Sequence, residues 1–547
     1  MLQSIRHGLT LTRRRAQRFG ADEDGALIIF ALMFLVLMLM MGGLAVDLMR
    51  FEHTRTRLQN TLDRATLAAA SLEQGLDPTE VVKDYMRKAG LAEQLKSVEV
   101  TSAMNERIVH TTGIAASDPI FLHMMGIDRL DAEGESKAEQ SISNLEIVLV
   151  LDVSGSMSGQ KIANLKLAAD EFVDTVMAND PHHRVSISIV PYNAQVNIGP
   201  DLAGVFNLTH RNQVADMTCV EIPTSEFAAQ GLSLTNPMPV MAYADIAYST
   251  WRTNSYVSAT DINYAIPNYA SAFCKPSTVN IIRLPSNDVT ALKANIDALQ
   301  AGGNTSITLG MKWGIAMLDP SMRASYDAFI AAGKIPDTLP DRPFAYDDKK
   351  AMKIVVLMTD GEHVAHNRIV DAYKTGPSPI WKAPDGYYSV QITANLPTWA
   401  NGNSWYVPHL GAYQAAAYAG GGAAVQQDWR DIWASLKMTY VAWQFYARPL
   451  GSSATSASST VYNNTVNAMQ AYYAMEPDMD ASLQASCDLA RANGVAIFGI
   501  TVEAPVHGNE VITNCAHADH TFIADRNTIR DVFRTIAANL SMLKLTQ

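Results

Sequence analysis

The chain is long enough for two or more domains, and its charge argues against nucleic-acid binding. It has 547 residues, of which 48% are hydrophobic, so it can bury a sizeable core, and its formal net charge is −12. Its four cysteines are too few for a small disulfide scaffold, and none has the C-x-x-C spacing of a zinc motif.

An uncharged apolar stretch at residues 25–46 stands out in the N-terminal part of the chain. Its length suits a helix that crosses a bilayer. We predict an uncleaved transmembrane helix; a cleaved signal peptide and a buried core helix are the alternatives. The arginines in residues 1–24 predict a cytoplasmic tail. Arginines also follow the span, but there is no second long apolar run, so everything after Val46 is expected on one side.

Residues 47–142 predict a helical stalk followed by a small α+β region. Apolar residues recur at helical spacing from Phe51 to Ala69, so the helix is expected to continue to about Gln74. A second helix, two strands and a short apolar turn are expected at 79–95, 98–102, 107–112 and 119–125. Residues 131–140 are expected to lead into the next domain, and no chemistry is evident in this region.

A set of residues around the predicted span resembles a known family. Val46-Asp47 follows the apolar helix, and Leu58-Gln59, Asp63, Ala65 and the run at 67–70 come after it. This pattern is similar to the N-terminal region of TadG-like proteins of Tad (Flp) pilus assembly, over roughly residues 20–75. The resemblance implies a single-pass protein of the bacterial inner membrane with other pilus components as partners. The alternative is an ordinary anchor with a helical stalk.

The next informative stretch is an apolar run at residues 145–151 that ends in Asp152-x-Ser154-x-Ser156. Such a run predicts a strand buried in a parallel sheet. Residues two apart on an extended backbone point the same way, so these three side chains can converge just past the strand. One carboxylate and two hydroxyls are hard oxygen ligands, which suit Mg²⁺, Mn²⁺ or Ca²⁺ rather than zinc.

Two later segments complete a recognisable pattern. Residues 302–306 read GGNTS before a helix, and residues 354–361 are a second apolar run ending in Thr-Asp-Gly. Together with the first motif they resemble the metal-ion-dependent adhesion site of a von Willebrand factor A domain. The resemblance implies that Ser154, Ser156 and Thr305 bind the ion directly, with Mg²⁺ as the first candidate. Asp152 and Asp360 would hold it through water, and a partner carboxylate would complete the coordination. The alternative is a Ser/Gly turn without metal.

Strands alternate with helices from about residue 143 to the C-terminus, which predicts an α/β fold with a doubly wound parallel sheet. We therefore assign residues 143–547 to a von Willebrand factor A-like domain. Ligands bind beyond the carboxyl ends of such strands, where Asp152 and Asp360 are expected. Two long insertions, at about 199–286 and 363–478, interrupt the pattern. The second insertion begins just after Asp360, so it is expected to shape the surface around the site.

The cysteines and histidines add smaller expectations. Cys219 and Cys274 lie in the first insertion, while Cys487 and Cys515 flank a late strand. Two local disulfides would fit an extracytoplasmic domain, although connectivity cannot be read from sequence. His363 and His366 fit no zinc motif and are expected on a loop surface.

These patterns favour a binding protein over an enzyme. No nucleophile elbow, Walker loop or His-Glu-x-x-His motif is present. The leading hypothesis is a membrane-anchored, extracytoplasmic protein that binds a carboxylate-bearing protein through a divalent cation, in pilus assembly or surface adhesion. One alternative is a chelatase-like subunit of an enzyme complex, which the anchor and the expected disulfides disfavour. The other is an envelope scaffold whose ion is only structural.

Overall fold

The structure is a computed structural model, and its description covers most of the chain. Residues 1–23 of the predicted cytoplasmic tail lie outside the described residues. The described residues are 24–72, 75–103, 106–141, 144–178, 180, 183–212, 214–246, 266–269, 272–450 and 456–541.

The chain divides into two compact units, residues 1–141 and residues 142–547. The first unit contains helices α1 (Asp24–Ala70) and α2 (Pro78–Lys88) and strands β1 (Leu95–Ala103), β2 (Glu106–Ser117) and β3 (Leu130–Ser141). The strands form an antiparallel sheet in the order β1-β2-β3. Residues 131–140, expected to lead into the next domain, are therefore part of a strand that pairs along its full length with β2.

Helix α1 joins the predicted span and the predicted stalk without a break. It is the one helix among the described residues that is long and apolar enough to cross a membrane. Its first part exposes large apolar side chains, from Leu27 at 73% to Met41 at 66%. Its last part packs on the sheet through Leu58 and Leu62, which are buried. Gly134 of β3 allows this approach, because a Cβ there would lie 3.1 Å from Leu62 Cδ1.

Among the described residues, the second unit contains fifteen further strands and eleven α-helices. Its strands are β4 (Asn144–Asp152), β5 (Val185–Tyr192), β6 (Leu208–Thr209), β7 (Met238–Pro239), β8 (Arg283–Ser286), β9 (Ala351–Thr359), β10 (His366–Ile369), β11 (Pro377–Lys382), β12 (Tyr388–Gln391), β13 (Trp405–Val407), β14 (Ala412–Gln414), β15 (Val425–Asp428), β16 (Gln470–Ala474), β17 (Ala496–Val502) and β18 (Thr521–Ala524). Its helices are α3 (Gln160–Met177), α4 (Gly199–Ala203), α5 (Val289–Asp297), α6 (Ile307–Ala316), α7 (Arg323–Ala331), α8 (Trp429–Ser435), α9 (Met438–Val441), α10 (Ser456–Met469), α11 (Glu476–Ala492), α12 (Val506–Ala516) and α13 (Ile529–Ser541).

A six-stranded sheet forms the centre of this unit, in the order β18-β17-β9-β4-β5-β8. Its first five strands are parallel, whereas β8 pairs antiparallel with β5. The sheets of the first unit and of the second insertion are antiparallel as well. The predicted mixed α/β class is confirmed, while an entirely parallel sheet is not what is found. β8 lies at the edge of the sheet and pairs with β5 alone. A strand at the edge can run parallel or antiparallel to its single neighbour.

Helix α6 packs unusually close to the central sheet because two glycines face it. A Cβ on Gly314 would lie 2.5 Å from Val150 Cγ2 of β4, and one on Gly310 would lie 2.5 Å from Tyr192 Cδ1 of β5. On the same helix, Trp313 is buried and packs edge-to-face on Phe206, with ring centroids 5.2 Å apart. This close packing brings the loop before α6 to the ends of β4 and β5.

The second insertion carries a core of its own and is not merely a solvated loop. Strands β14-β13-β12-β11-β15 form an antiparallel sheet. Buried aromatic side chains lie against it and its helices, including Tyr406, Trp433 and Phe445. A buried ion pair links it to the first insertion, since Glu221 Oε2 lies 2.5 Å from Lys374 Nζ.

The cysteines form two disulfides, Cys219–Cys274 and Cys487–Cys515. The first lies within the described part of the first insertion, and the second joins α11 to α12. The expectation of two local disulfides is confirmed, and the structure supplies their connectivity.

Gly310→Ala tests the close packing of α6. The new methyl group would meet the Tyr192 ring, whose hydroxyl is held by a hydrogen bond to the Met358 carbonyl at 2.9 Å. We expect the free energy of unfolding to fall by about 1–3 kcal/mol, measured by urea unfolding of the full chain in detergent. Gly302→Ala is the control, because nothing lies within 4 Å of its Cβ position. Equal stability of the two variants would contradict the packing argument.

Candidate metal centre

Two aspartates come together where the central strands end. β4 and β9 are parallel neighbours, and Leu151 is paired with Met358. The residues just past this pair therefore lie side by side, and they include Asp152 and Asp360. Both are buried, with exposures of 0% and 3%. Both aspartates therefore lie at the carboxyl edge of the sheet, as the sequence predicts.

Asp152 is held by hydrogen bonds on both carboxylate oxygens. The Ser154 N–H donates to Oδ1 and the Thr359 hydroxyl donates to Oδ2, each at 2.8 Å. Burial, together with the nearby charge of Asp360, raises the pKa of Asp152 to about 6. The site therefore concentrates negative charge where water is excluded, which favours a cation.

The two serines connect this region to Asp360. Ser154 Oγ and Ser156 Oγ lie 3.0 Å apart, and the Ser156 hydroxyl donates to Asp360 Oδ1 at 2.6 Å. Four of the five predicted site residues, Asp152, Ser154, Ser156 and Asp360, are thus neighbours in one hydrogen-bonded group. Asp152, Ser154 and Ser156 alternate along the chain at the end of β4, and Asp360 joins them from the end of β9.

Thr305 reaches the same region through backbone contacts between two loops. The Gly155 N–H donates to the Gly303 carbonyl and the Gly302 N–H donates to the Val153 carbonyl, both at 2.8 Å. Thr305 is 4% exposed, and its Oγ1 would lie 3.7 Å from a Cβ on Gly361, next to Asp360. The fifth predicted residue therefore borders the group formed by the other four.

Lys161 is a member of the site that sequence reasoning missed. Its Nζ lies 2.8 Å from Asp360 Oδ2 and 3.7 Å from Glu503 Oε2, and its side chain is 17% exposed. A signal was available, because a lysine in the first turn of a helix opposes the helix dipole. Lys161 stands at the second position of α3, so its charge needs a local partner.

Glu503, the second carboxylate beside Lys161, belongs to a loop with unusual backbone geometry. It follows β17 and has a φ of 53°, in the left-handed region. Arg526 forms a two-pronged ion pair with it, at 2.7 and 2.8 Å. This hydrogen bonding lowers the pKa of Glu503 to about 2, so its negative charge persists at neutral pH.

His363 and His366 are buried, which corrects the expectation that they lie on a loop surface. His363 Nε2 accepts the Thr308 N–H at 3.0 Å, and its Nδ1 lies 2.7 Å from Asp480 Oδ1. Since Nε2 is an acceptor, Nδ1 carries the proton and donates to Asp480. His363 thereby ties the chain after Asp360 to the start of α6. Burial lowers the pKa of His366 to about 4.

The residue types at the site suit a hard divalent cation. Two carboxylates and three hydroxyls supply only oxygen atoms, as Mg²⁺ prefers. The described ranges contain no cluster of three or more His, Cys, Asp or Glu side chains that could hold a metal, so a site of the zinc type is not found there. The raised pKa of Asp152 marks a buried charge that a bound cation would stabilise.

The N-terminal part of the chain matches a known family. Residues 25–72 match the family model of TadE/G-like proteins of Flp pilus assembly. The resemblance to TadG-like proteins is thus confirmed for this segment. With the exposed apolar part of α1, it supports a membrane-anchored, single-pass protein with a pilus-related function. A search of the curated proteins gives no match.

Among solved structures, several pilus proteins are similar to the chain at low identity. The pilus adhesin SpaC from Lactobacillus rhamnosus GG is 10% identical, with a TM-score of 0.30, over 82% of this chain and 34% of SpaC. The von Willebrand factor domain of the type V pili tip protein Mfa5 from Porphyromonas gingivalis is 12% identical, with a TM-score of 0.29, over 73% of this chain and 96% of that domain. The chain thus spans about a third of the length of SpaC.

The pH dependence of stability tests the buried charge of Asp152. Its pKa of about 6 in the folded protein lies above the unfolded value of about 3.9. The folded protein therefore binds more protons between these values, and its stability falls as pH rises from about 4 to about 6.

Asp152→Asn removes this contribution in the presence of chelator. We therefore compare the free energies of unfolding of the wild type and of the variant. The wild-type value minus the variant value is expected to decrease by about 2 kcal/mol as the pH rises from about 4 to about 6. Urea unfolding at several pH values measures it. Asp337→Asn is the control for loss of an exposed carboxylate. A difference for Asp152→Asn that does not change with pH would contradict the expected shift.

Proposed function

We propose that this protein is a membrane-anchored pilus-associated protein that binds a protein partner through a divalent cation. The observation that carries the proposal is the convergence of Asp152, Ser154, Ser156 and Asp360 at the carboxyl edge of the sheet, bordered by Thr305. We further propose that the central sheet and its helices form a doubly wound, von Willebrand factor A-like domain. The five parallel strands support this assignment.

The proposed ligand set follows the resemblance to the adhesion site. Ser154, Ser156 and Thr305 would bind the ion directly, while Asp152 and Asp360 would hold its water ligands. A bound Mg²⁺ would supply a positive charge with a position open to an outside carboxylate. Hydroxyl and water ligands are neutral and leave this charge largely uncompensated. A carboxylate-bearing protein, and in particular another pilus component, is therefore the proposed partner.

Lys161 determines how readily the site accepts a cation. Its ammonium group is already 2.8 Å from Asp360 Oδ2, so it competes with any ion that Asp360 helps to hold. Glu503 is a second acidic partner within reach of Lys161, with its Oε2 3.7 Å from Nζ. We propose that Lys161 turns toward Glu503 when a cation binds. Arg526 keeps Glu503 in position for this exchange.

The large second unit is proposed to lie outside the cytoplasm of a bacterial inner membrane. Its two disulfides form and persist in oxidising compartments. This location disfavours the chelatase-like alternative and favours binding over catalysis. An envelope scaffold with a structural ion remains the competing function, and a binding experiment separates the two.

Asp152→Ala and Thr305→Ala test the proposed cation site. Each variant removes an oxygen that positions the ion or its water, so we expect Mg²⁺ affinity to fall by about 10–100-fold. Isothermal titration calorimetry on the full chain in detergent measures this. Ser158→Ala is the control, because this serine lies in the same loop and is exposed. Unchanged affinity in both site variants would overturn the proposed ligand set.

The same variants distinguish the proposed adhesion function from a scaffold. Immobilised full-length protein is mixed with bacterial envelope extract in Mg²⁺ or in chelator, and retained proteins are identified by mass spectrometry. We expect pilus components to be retained by the wild type in Mg²⁺ and lost both with chelator and with Asp152→Ala. Retention of the same components under all three conditions would support the scaffold function instead.

Lys161→Met tests the competition at Asp360. Removing the ammonium leaves the two aspartates without their internal cation. We therefore expect Mg²⁺ affinity to rise about tenfold, or ~1.4 kcal/mol, and thermal stability in chelator to fall. Lys166→Met is the matched control, since this lysine is on the same helix but contacts the Asp297 carbonyl. Equal Mg²⁺ affinity of wild type and Lys161→Met would show that Lys161 does not compete.

A further inference from the structure

An exposed apolar loop in the first unit lies beside the membrane helix. The loop at residues 120–127 connects β2 to β3 and contains a short 3₁₀ turn, Leu122–Met125. Four of its large apolar side chains are well exposed, Ile120 by 58%, Met124 by 81%, Met125 by 60% and Ile127 by 40%, while Leu122 is buried. So many exposed apolar side chains in one short loop mark a contact surface.

The loop is attached to α1 by a buried carboxylate. Asp47, at 1% exposure, accepts the backbone N–H groups of Ile120, Phe121 and Leu122 at 2.7–2.8 Å. Asp47 comes directly after the apolar stretch at 25–46. The loop is therefore held at the end of the predicted span, where the chain leaves the bilayer.

A glycine on α1 receives the ring of Phe121. A Cβ on Gly43 would lie only 2.3 Å from Phe121 Cγ, so the ring occupies the space that any other residue would fill. On the N-terminal side of Gly43 along the helix, Val36, Leu39 and Met40 line an apolar groove. Met124 and Met125 of the loop line the same groove. Val36 precedes Asp47 by about 16 Å of helix, about half of a ~30 Å hydrocarbon core.

The backbone of the loop is largely satisfied without water. Besides the three N–H groups bound by Asp47, Met124 donates to the Phe121 carbonyl, Gly126 to His123 and Ile127 to Leu122, at 3.0–3.1 Å. An irregular segment can approach lipid only when its polar backbone groups are paired in this way. The one ionisable side chain within residues 120–127, His123, is exposed and pairs with Asp128 at 2.8 Å.

We propose that residues 120–127 insert among the acyl chains of the leaflet that surrounds the C-terminal end of the membrane span. Phospholipid acyl chains are the occupant that fits, because the groove is continuous with the exposed apolar surface of the predicted span. The first unit thus contacts the membrane at two places, the helix and the loop. The Asp47 carboxylate fixes the loop relative to the helix and so orients the sheet at the bilayer surface.

Depth-dependent fluorescence quenching of the full-length protein tests this proposal. Met124→Cys provides a thiol for an environment-sensitive fluorophore, since all four native cysteines are in disulfides. The labelled protein is reconstituted into phosphatidylcholine vesicles. We expect strong quenching by nitroxide-labelled lipids and little by aqueous iodide. Tyr85→Cys, on exposed Tyr85 of α2, is the control and should show the opposite pattern.

Two results would overturn the proposal. If iodide quenched the label at Met124→Cys as strongly as it quenches the label at Tyr85→Cys, the loop would lie in water. Protection of the label from both quenchers would show that protein, such as a second copy of the chain, covers the loop.

A second variant tests the attachment to α1. Asp47→Ala in the Met124→Cys background removes the acceptor of three N–H groups, so lipid quenching should fall at least about twofold. Asp63→Ala, which removes an exposed carboxylate of the same helix, should leave it unchanged. Full lipid quenching in the Asp47→Ala protein would overturn the role of Asp47.

Discussion

The parallel pairing of β4 and β9 is the constraint on which the candidate site depends. It puts Asp152 and Asp360 next to each other in a buried position, and two like charges there are unfavourable unless a cation is close. In the structure, that cation is the ammonium of Lys161. The loop before α6 can reach the same edge because Gly310 and Gly314 let this helix lie against the sheet. Strand pairing, helix packing and the Lys161 ion pair thus bring the candidate ligands together at one edge of the sheet.

The surroundings of the site are built by the two insertions and by side chains that hold them. The buried pair of Glu221 and Lys374 joins the insertions, and a buried ion pair of this kind constrains geometry more than it adds stability. His363 joins the chain after Asp360 to Thr308 at the start of α6. The loops around the site are therefore fixed by buried polar contacts, so the candidate site keeps a defined geometry.

In the first unit, contacts between distant segments fix a loop at the end of the apolar helix. Asp47 ends the apolar stretch, yet its carboxylate is used by the backbone of a loop more than seventy positions later. Gly43 provides the space for Phe121. These two contacts hold the exposed apolar turn against the apolar surface of the helix. Local sequence reasoning found no chemistry in this region because the contacts are between distant segments.

The amino-acid sequence by itself determined the apolar helix, the central strands and the Asp152-x-Ser154-x-Ser156 motif, because each depends on residues close together in the chain. The sequence also led to the expectation of two local disulfides, whereas their connectivity, Cys219–Cys274 and Cys487–Cys515, is known only from the structure. Only the tertiary structure decided that Lys161 pairs with Asp360, a residue 199 positions away, and that β8 returns antiparallel at the sheet edge. It also decided that His363 is buried and that the 120–127 loop lies against α1. The physical reason is that periodicity and motif spacing report backbone geometry over a few residues, whereas ion pairs, burial and edge pairing depend on which distant segments the fold brings into contact.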